Sequence, residues 1–248
     1  MSALAALGAV WYARELGKAA DRVAASAKES AAASVKSASA AETVVALDRS
    51  RRHEQLTPQF RVTVVRKPQF KFERNFEYMM TVYLVGPHEL GQLDSLTIRI
   101  QDDRPGRAEG PLMPGGPSRE ELAAQVWGPR RFVPGTGSFS DPVGTGNVAD
   151  ATGRVMPTSG LPVGEQLEFA LEATKPPPWV SWLKDQFADI RWREEVGEHL
   201  RIKLECSREG WDDWTLTGRV YTSNFSATVE IPAGAADREK SKRMSSSL

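Results

Sequence analysis

The residue types most often used in catalysis are dispersed along this sequence. His53, His88 and His199 are far apart, and none lies in the His-Glu-x-x-His spacing that puts two zinc ligands on one helical face. The single cysteine, Cys206, ends the alternating run 200–206 on its apolar side. That position is typical of a small buried hydrophobe, whereas a nucleophilic thiol needs a polarised, accessible setting. We therefore predict no catalytic residue and no enzyme activity.

Carboxylates cluster at three places where metal ligands could gather. Glu194, Glu195 and Glu198 precede His199, and a solvated helix end accounts for them better than a metal site does. The pairs Asp102-Asp103 and Asp212-Asp213 are typical of turns, although such pairs can also bind a cation together with loop carbonyls. We predict no metal site and no cofactor.

Two Gly-Thr-Gly triplets lie close together near the middle of the chain. Gly135-Thr-Gly137 and Gly144-Thr-Gly146 do not connect a strand to a helix and carry no lysine, as a phosphate-binding loop would require. We predict a long surface loop from about Gly135 to Gly160.

Tryptophan is the most unusual component, with seven residues in the chain. Several of them are next to charged residues in the sequence, as expected for a tryptophan that has one edge of its ring exposed to solvent. Two interpretations stay open: packing over an open end of the domain, which we favour, or a partner or ligand surface. The candidate residues for that surface are Trp179, Trp182, Phe187, Trp192, Trp211 and Trp214.

Composition limits the class of protein. The 248 residues include 32 basic and 32 acidic side chains, so no net charge favours a nucleic-acid partner. A hydrophobic fraction of 40% is enough for a core. One cysteine allows no intrachain disulfide and fits a reducing compartment. We predict a location in the cytoplasm or at the cytoplasmic face of the membrane.

The N-terminus is apolar and then basic. Residues 1–13 end in Trp11-Tyr12 and are followed by Arg14, Lys18 and Arg22. A membrane span needs about 20 apolar residues, so this run is too short. Its order is nevertheless that of the cytoplasmic end of a membrane helix. Two alternatives stay open: a partial anchor with membrane contact at residues 1–13, or the apolar start of a soluble helix.

An alanine-rich helical stalk is predicted over residues 1–56. Residues 13–46 contain no proline, and alanine is the best helix former. A four-three alternation of small side chains fits a coiled-coil seam, which favours self-association through this helix. The members of that seam are Ala20, Ala24, Ala27, Ala31, Ser34, Ala38, Ala41 and Val45.

From Gln59 the hydrophobic period changes from helical to two. Seven runs alternate or nearly so, and they lie near residues 60–64, 76–84, 96–100, 126–133, 167–171, 200–206 and 214–221, the last with a bulge at Gly218. Strands without alternating helices favour an antiparallel β-sandwich, with an immunoglobulin-like arrangement as the natural choice. We assign residues 57–232 to this mainly β domain and residues 233–248 to a disordered polar tail.

Two short helices are predicted as insertions in the β domain. Ser118 and Glu121 have the spacing of a capping box. After Pro176-Pro177-Pro178, an amphipathic helix is predicted from Trp179 to Trp192. Its apolar stripe would be Val180, Leu183, Phe187 and Ile190, packed against the sandwich.

Motifs in this order resemble a group of uncharacterised actinobacterial proteins. They are His53–Pro58, Leu93–Asp103, Ala123–Phe132, Leu161–Glu165, Pro176–Trp179 and Cys206–Thr215. Members of that group often begin with a membrane helix followed by Ser-Ala-Asp-type heptads, and this chain departs from them at its start. The resemblance implies no activity and transfers no catalytic residue.

The sequence favours a non-enzymatic binding or scaffolding protein, a helix-tethered β-sandwich with an unidentified protein partner. The alternative is a β-sandwich module that binds a small molecule or a carbohydrate at a tryptophan-rich end. A concave pocket lined by exposed tryptophans would favour the alternative, and a flat apolar helix face would favour a protein partner.

Overall fold

A computed structural model describes residues 2–66, 78–104, 116–140, 147–180, 186–222 and 226–231. The predicted tail, residues 233–248, lies outside them. The chain divides into two compact units, Met1–Arg52 and His53–Leu248. The first unit is helical and the second is mainly β.

The first helix, α1, runs from Ser2 to Gln55 and has 54 residues. At 1.5 Å per residue its length is about 80 Å. All α1 side chains that the structure describes from Arg14 to Arg52 are exposed. Within the described part of the chain, no helix is both long enough and apolar enough to cross a membrane.

Two antiparallel sheets form the second unit. The larger sheet has the order β4-β6-β2-β1-β9, and its strands are Gln59–Arg66 (β1), Tyr78–Gly86 (β2), Arg130–Phe132 (β4), Gln166–Ala173 (β6) and Ser226–Ile231 (β9). The smaller sheet has the order β5-β3-β7-β8, and its strands are Gln92–Gln101 (β3), Val155–Pro162 (β5), His199–Ser207 (β7) and Trp214–Tyr221 (β8). A short 3-10 helix, His88–Leu90, connects β2 to β3.

The core lies between the two sheets and is built by period-two alternation. On β7 every second side chain is buried, from Leu200 to Cys206. The rings of Phe132 and Phe169 meet edge to face, with centroids 5.8 Å apart and planes inclined by 72°. Residues from both sheets form one hydrophobic cluster, which confirms the predicted mainly β sandwich with an N-terminal helix.

Strand order can be compared with that of immunoglobulin domains, whose sheets run A-B-E-D and C′-C-F-G. The neighbours β1-β2-β6-β4 and β5-β3-β7-β8 correspond to these orders. The chain, however, forms β4 before β5, and β9 adds a strand beside β1. The immunoglobulin-like arrangement therefore stays a prediction.

Strand β5 corrects the predicted surface loop from Gly135 to Gly160. Among the strands that the structure describes, it pairs only with β3, from Val155↔Arg99 to Pro162↔Gln92. The strand contains Pro157 and Pro162, and proline is tolerated where one side of a strand needs no amide donor. A Cβ on Gly160 would lie 2.6 Å from the carbonyl oxygen of Leu93, so the close pairing requires glycine.

The predicted bulge at Gly218 is also wrong. Pairing of β7 with β8 continues through Ile202↔Gly218 without a register shift. A Cβ at Gly218 would lie 2.6 Å from Cδ1 of Ile231 on β9, so the glycine makes room for a side chain of the other sheet.

Of the two inserted helices, the first is as short as predicted and the second is shorter. Helix α2, Arg119–Ala124, has the predicted capping box: Glu121 N donates to Ser118 Oγ at 3.2 Å and Ser118 N donates to Glu121 Oε2 at 2.8 Å. Helix α3 comprises only Ala188–Val196. It ends at Gly197, whose φ of 69° suits glycine.

Candidate functional site

A small aromatic cluster, here called the α3 cluster, consists of Trp127, Trp192 and Val196. The indole rings of Trp127 and Trp192 are tilted by 48° with centroids 5.4 Å apart. Trp179 and Leu122 pack against it and are partly buried. Trp192 and Val196, four residues apart, give α3 one buried face, and this face fixes the helix against the domain.

Hydrogen bonds hold the α3 cluster at the end of β6. Trp192 Nε1 donates to Thr174 Oγ1 at 2.9 Å, and the Thr174 hydroxyl donates to the carbonyl of Gly128. Thr222, at the end of β8, donates its backbone N–H to the carbonyl of Glu198 at 2.9 Å. The indole N–H of Trp192 is therefore satisfied within the domain.

A half-open cleft of about 700 Å³ lies beside the α3 cluster. The Arg130 guanidinium covers the ring of Tyr78 in this cleft, 3.9 Å from its centroid. Charged residues of both signs line it: Arg130, Lys175, Arg193, Asp189, Glu194 and Glu198. Such a lining suits a small ligand that carries charge, and its volume is within the usual range of ligand pockets.

A second aromatic group, here called the His53 stack, lies in the same unit. The His53 ring is parallel to that of Trp214, at 4.7 Å and 4°, and to that of Trp211 at 6.4 Å and 24°. Trp214 Nε1 donates to the carbonyl oxygen of His53 at 3.2 Å. Nδ1 of His53 is buried and has no hydrogen-bond partner among the described residues. The stack thus joins the last turn of α1 to the start of β8.

The predicted surface residues that the structure describes fall into separate groups. Trp192 comes just before β7 and Trp214 follows it, so they lie at opposite ends of a nine-residue strand. Trp179 and Trp192 belong to the α3 cluster, Trp211 and Trp214 to the His53 stack. Trp182 lies outside the described residues, and Phe187 precedes α3. The described tryptophans of the predicted end thus divide into two groups, and a binding role for either group stays a prediction.

Exposure corrects the predicted apolar stripe as well. Phe187 and Ile190 are 51% and 53% exposed, whereas Trp192 is 2% exposed. Leu183 lies outside the described residues. Because α3 begins only at Ala188, its buried face starts later than the sequence spacing suggests.

Two further candidates from the sequence, the pair Asp102-Asp103 and Cys206, have structural surroundings that account for them. Asp102 Oδ1 accepts from Trp127 N at 3.2 Å and from the Arg154 guanidinium at 2.9 Å, so the pair Asp102-Asp103 contributes to a loop anchor. Cys206 is 1% exposed, and burial raises the pKa of its thiol to about 12. A neutral, buried thiol is unsuited to nucleophilic attack.

Charged side chains on the outer face of the smaller sheet form ion pairs with one another, as Lys203 and Glu205 do along β7. Lys203 Nζ lies 2.5 Å from Glu205 Oε1, and the hydrogen bond from Lys203 holds the pKa of Glu205 below its usual value. Among the residues whose placement is described, no group of three or more His, Cys, Asp or Glu side chains could hold a metal ion. The carboxylates Glu194, Glu195 and Glu198 and the neighbouring His199 therefore form no such group.

The sequence pattern did not point to Trp127, Arg130 and Tyr78 as parts of this region. Trp127 precedes Gly128-Pro129, and nothing in its local pattern indicates a partner on α3. The stacking role of His53 was also missed, although this residue begins the motif His53–Pro58. No protein-family model, curated protein or solved structure matches the chain. The resemblance to actinobacterial proteins stays a prediction.

Proposed function

We propose that this protein is a non-enzymatic scaffolding protein that joins β-sandwich domains through self-association of α1. The observation that carries the proposal is the exposure of that helix. Six aliphatic side chains of α1 are 57–69% exposed: Leu16, Val23, Val35, Val44, Val45 and Leu47. Removal of apolar surface from water is worth about 25 cal/mol per Å², so pairing would stabilise this helix.

The composition of α1 supports the same conclusion. An alanine-rich helix has high intrinsic propensity, but most helical stability in proteins comes from packing of a face. Leu16, Val23 and Val44 repeat at multiples of seven residues, and Leu47 follows Val44 by three. That is the spacing of a coiled-coil seam, and this seam lies on a different face of α1 from the small-residue seam that begins with Ala20 and Ala24.

Sedimentation equilibrium of the full chain tests the proposal. We expect a reversible dimer or higher oligomer that becomes monomeric when Val23 and Val44 are both replaced by glutamate. Val35→Glu is the matched control, because Val35 is equally exposed but lies on the opposite side of the helix from that seam. A full chain that stays monomeric at about 100 µM would contradict self-association at micromolar affinity.

The cleft beside the α3 cluster supports a second candidate function, binding of a small charged molecule. Its lining of both charge signs favours an ionic ligand. A carbohydrate would need an accessible aromatic ring face to stack on, and neither ring in the cleft offers one. Tyr78 is covered by Arg130 and Trp192 is 2% exposed. A thermal-shift screen of small dicarboxylates and amino acids should find a ligand whose effect is lost in Arg193→Ala and kept in Arg191→Ala.

We propose a location in the cytoplasm or at the cytoplasmic face of a membrane. The lone Cys206 and the basic residues Arg14, Lys18 and Arg22 support it. Flotation of the full chain with anionic vesicles would distinguish the two sites, since only membrane contact at residues 1–13 would carry the protein upward.

A further inference from the structure

We infer that two copies of α1 pair antiparallel, with the two-fold axis crossing the helix close to residue 25. The inference rests on the proposed self-association and adds orientation and register to it. It concerns the seam that contains Leu16, Val23, Val44 and Leu47, here called the aliphatic seam.

A column of charges runs along one flank of the aliphatic seam. Arg22, Glu29 and Lys36 follow one another at seven-residue spacing, and the sequence places Glu15 seven residues before Arg22. The sign therefore alternates with each heptad. The side chains of Arg22, Glu29 and Lys36 are exposed. In coiled coils, the charges that flank the seam select partner and orientation.

An antiparallel pair matches this column with itself. In this pair, Arg22 of the first helix faces Glu29 of the second. By the two-fold symmetry, Glu29 of the first helix faces Arg22 of the second. The same axis sets Lys36 opposite position 15, which the sequence fills with Glu15. Every facing position in the column then carries the opposite sign.

A parallel pair leaves the column without opposite charges. In that arrangement each flanking residue faces the position five residues further along the other helix. Arg22 would face Ala27, and Lys36 would face Ala41. The charge pattern therefore favours the antiparallel orientation.

Side-chain size in the aliphatic seam agrees with the same axis. The antiparallel register places Leu16 of one helix against Ala33 of the second copy. It also places Val23 against Ser26. Large side chains thus face small ones and can interdigitate, whereas a parallel register would stack like upon like. The C-terminal ends of the two helices then lie at opposite ends of the pair.

Cysteine cross-linking of the full chain tests the orientation. Leu16→Cys and Ala33→Cys are made separately and treated with a short bismaleimide, alone and as an equimolar mixture after subunit exchange. The native thiol does not compete, because Cys206 is 1% exposed. We expect a cross-linked dimer in the mixture and little in either variant alone, since residues 16 of the two copies would be about 25 Å apart.

Charge reversal tests the register. Arg22→Glu and Glu29→Arg should each weaken association about tenfold in Kd at low salt, and the double variant should restore it. Lys28→Glu is the control, because position 28 lies away from the seam. Arg22→Glu also sets a carboxylate four residues from Lys18, which keeps the single helix stable; circular dichroism at 222 nm verifies this.

The outcomes separate the two levels of the proposal. Cross-linked dimers formed by each variant alone would overturn the antiparallel orientation and leave self-association standing. A double variant as weak as either single variant would overturn the register. A monomeric full chain in the ultracentrifuge would overturn self-association and, with it, this inference.

Discussion

Single residues in the β-sandwich are placed by strand parity, and their neighbours determine what a substitution costs. Ile98 is 0% exposed, while Thr97, on the opposite face of β3, lies between Pro157 and Glu205 in the register. The sequence indicated which residues of β3 face the core, because apolar and polar side chains alternate along this strand. The identity of the cross-strand neighbours was not, since it depends on which strands pair.

Replacement of Ile98 by aspartate should unfold the β-sandwich, because an isolated charge cannot be buried without a partner. Thr97→Asp should cost less than about 1 kcal/mol, the penalty of facing Glu205 across the strands. Chemical denaturation followed by tryptophan fluorescence measures both. Equal losses of stability would mean that both faces of β3 are buried.

Cys206 makes stability depend on alkaline pH. The thiol titrates near 9.0 when unfolded, and burial raises its pKa to about 12 in the folded protein. Above pH 9 the unfolded state therefore loses a proton that the folded state keeps, and stability falls by about 1.4 kcal/mol per pH unit until pH 12.

Urea unfolding at pH 8 and pH 10 measures this effect, with Cys206→Ala as the reference. The wild-type chain should lose about 1.4 kcal/mol more than the variant between these two pH values. Equal losses in the two proteins would show that the thiol ionises as readily in the folded state. The native thiol should also resist iodoacetamide at pH 8.

At the scale of elements, helix α3 differs most from its prediction. Helical spacing of Val180, Leu183, Phe187 and Ile190 suggested a buried stripe, yet the face that packs contains Trp192 and Val196. Periodicity identifies residues that share a face, but it does not say which face meets the domain. The face of α3 that packs is the one that carries Trp192, whose indole N–H donates to Thr174, 18 residues away in the sequence.

Trp192→Ala should therefore destabilise the domain by about 3–5 kcal/mol, as expected for a buried aromatic side chain. Phe187→Ala should change stability by less than about 1 kcal/mol, since that side chain is 51% exposed. Thermal denaturation compares the two variants. A larger loss for Phe187→Ala would restore the stripe that the sequence suggested.

At the scale of the whole molecule, the domain boundary predicted between residues 56 and 57 does not coincide with the division of the chain into units. The β unit begins at His53, inside the last turn of α1. His53 stacks on Trp214, and Leu56 packs against the core. The β-sandwich is thus packed against His53 and Leu56, two residues that the sequence assigns to the stalk.

A fragment that begins at residue 49 should unfold at the same urea concentration as the β unit of the full chain. One that begins at residue 57 should be less stable by about 1–3 kcal/mol, because it lacks the His53 ring and the partly buried Leu56. His53→Ala in the full chain isolates the stacking contribution. Equal midpoints for the two fragments would show that the His53 stack adds nothing.

The sequence by itself determined the long N-terminal helix, most strands, the capping box of α2 and the burial of Cys206. These depend on local composition and periodicity, which act over a few residues. Only the tertiary structure decided that β5 is a strand although it contains Pro157 and Pro162, because β5 pairs with β3 and its other edge needs no amide donor. It also divided the tryptophans between the α3 cluster and the His53 stack. Contacts between distant segments place those side chains, and they depend on strand order, which a hydrophobic period does not encode.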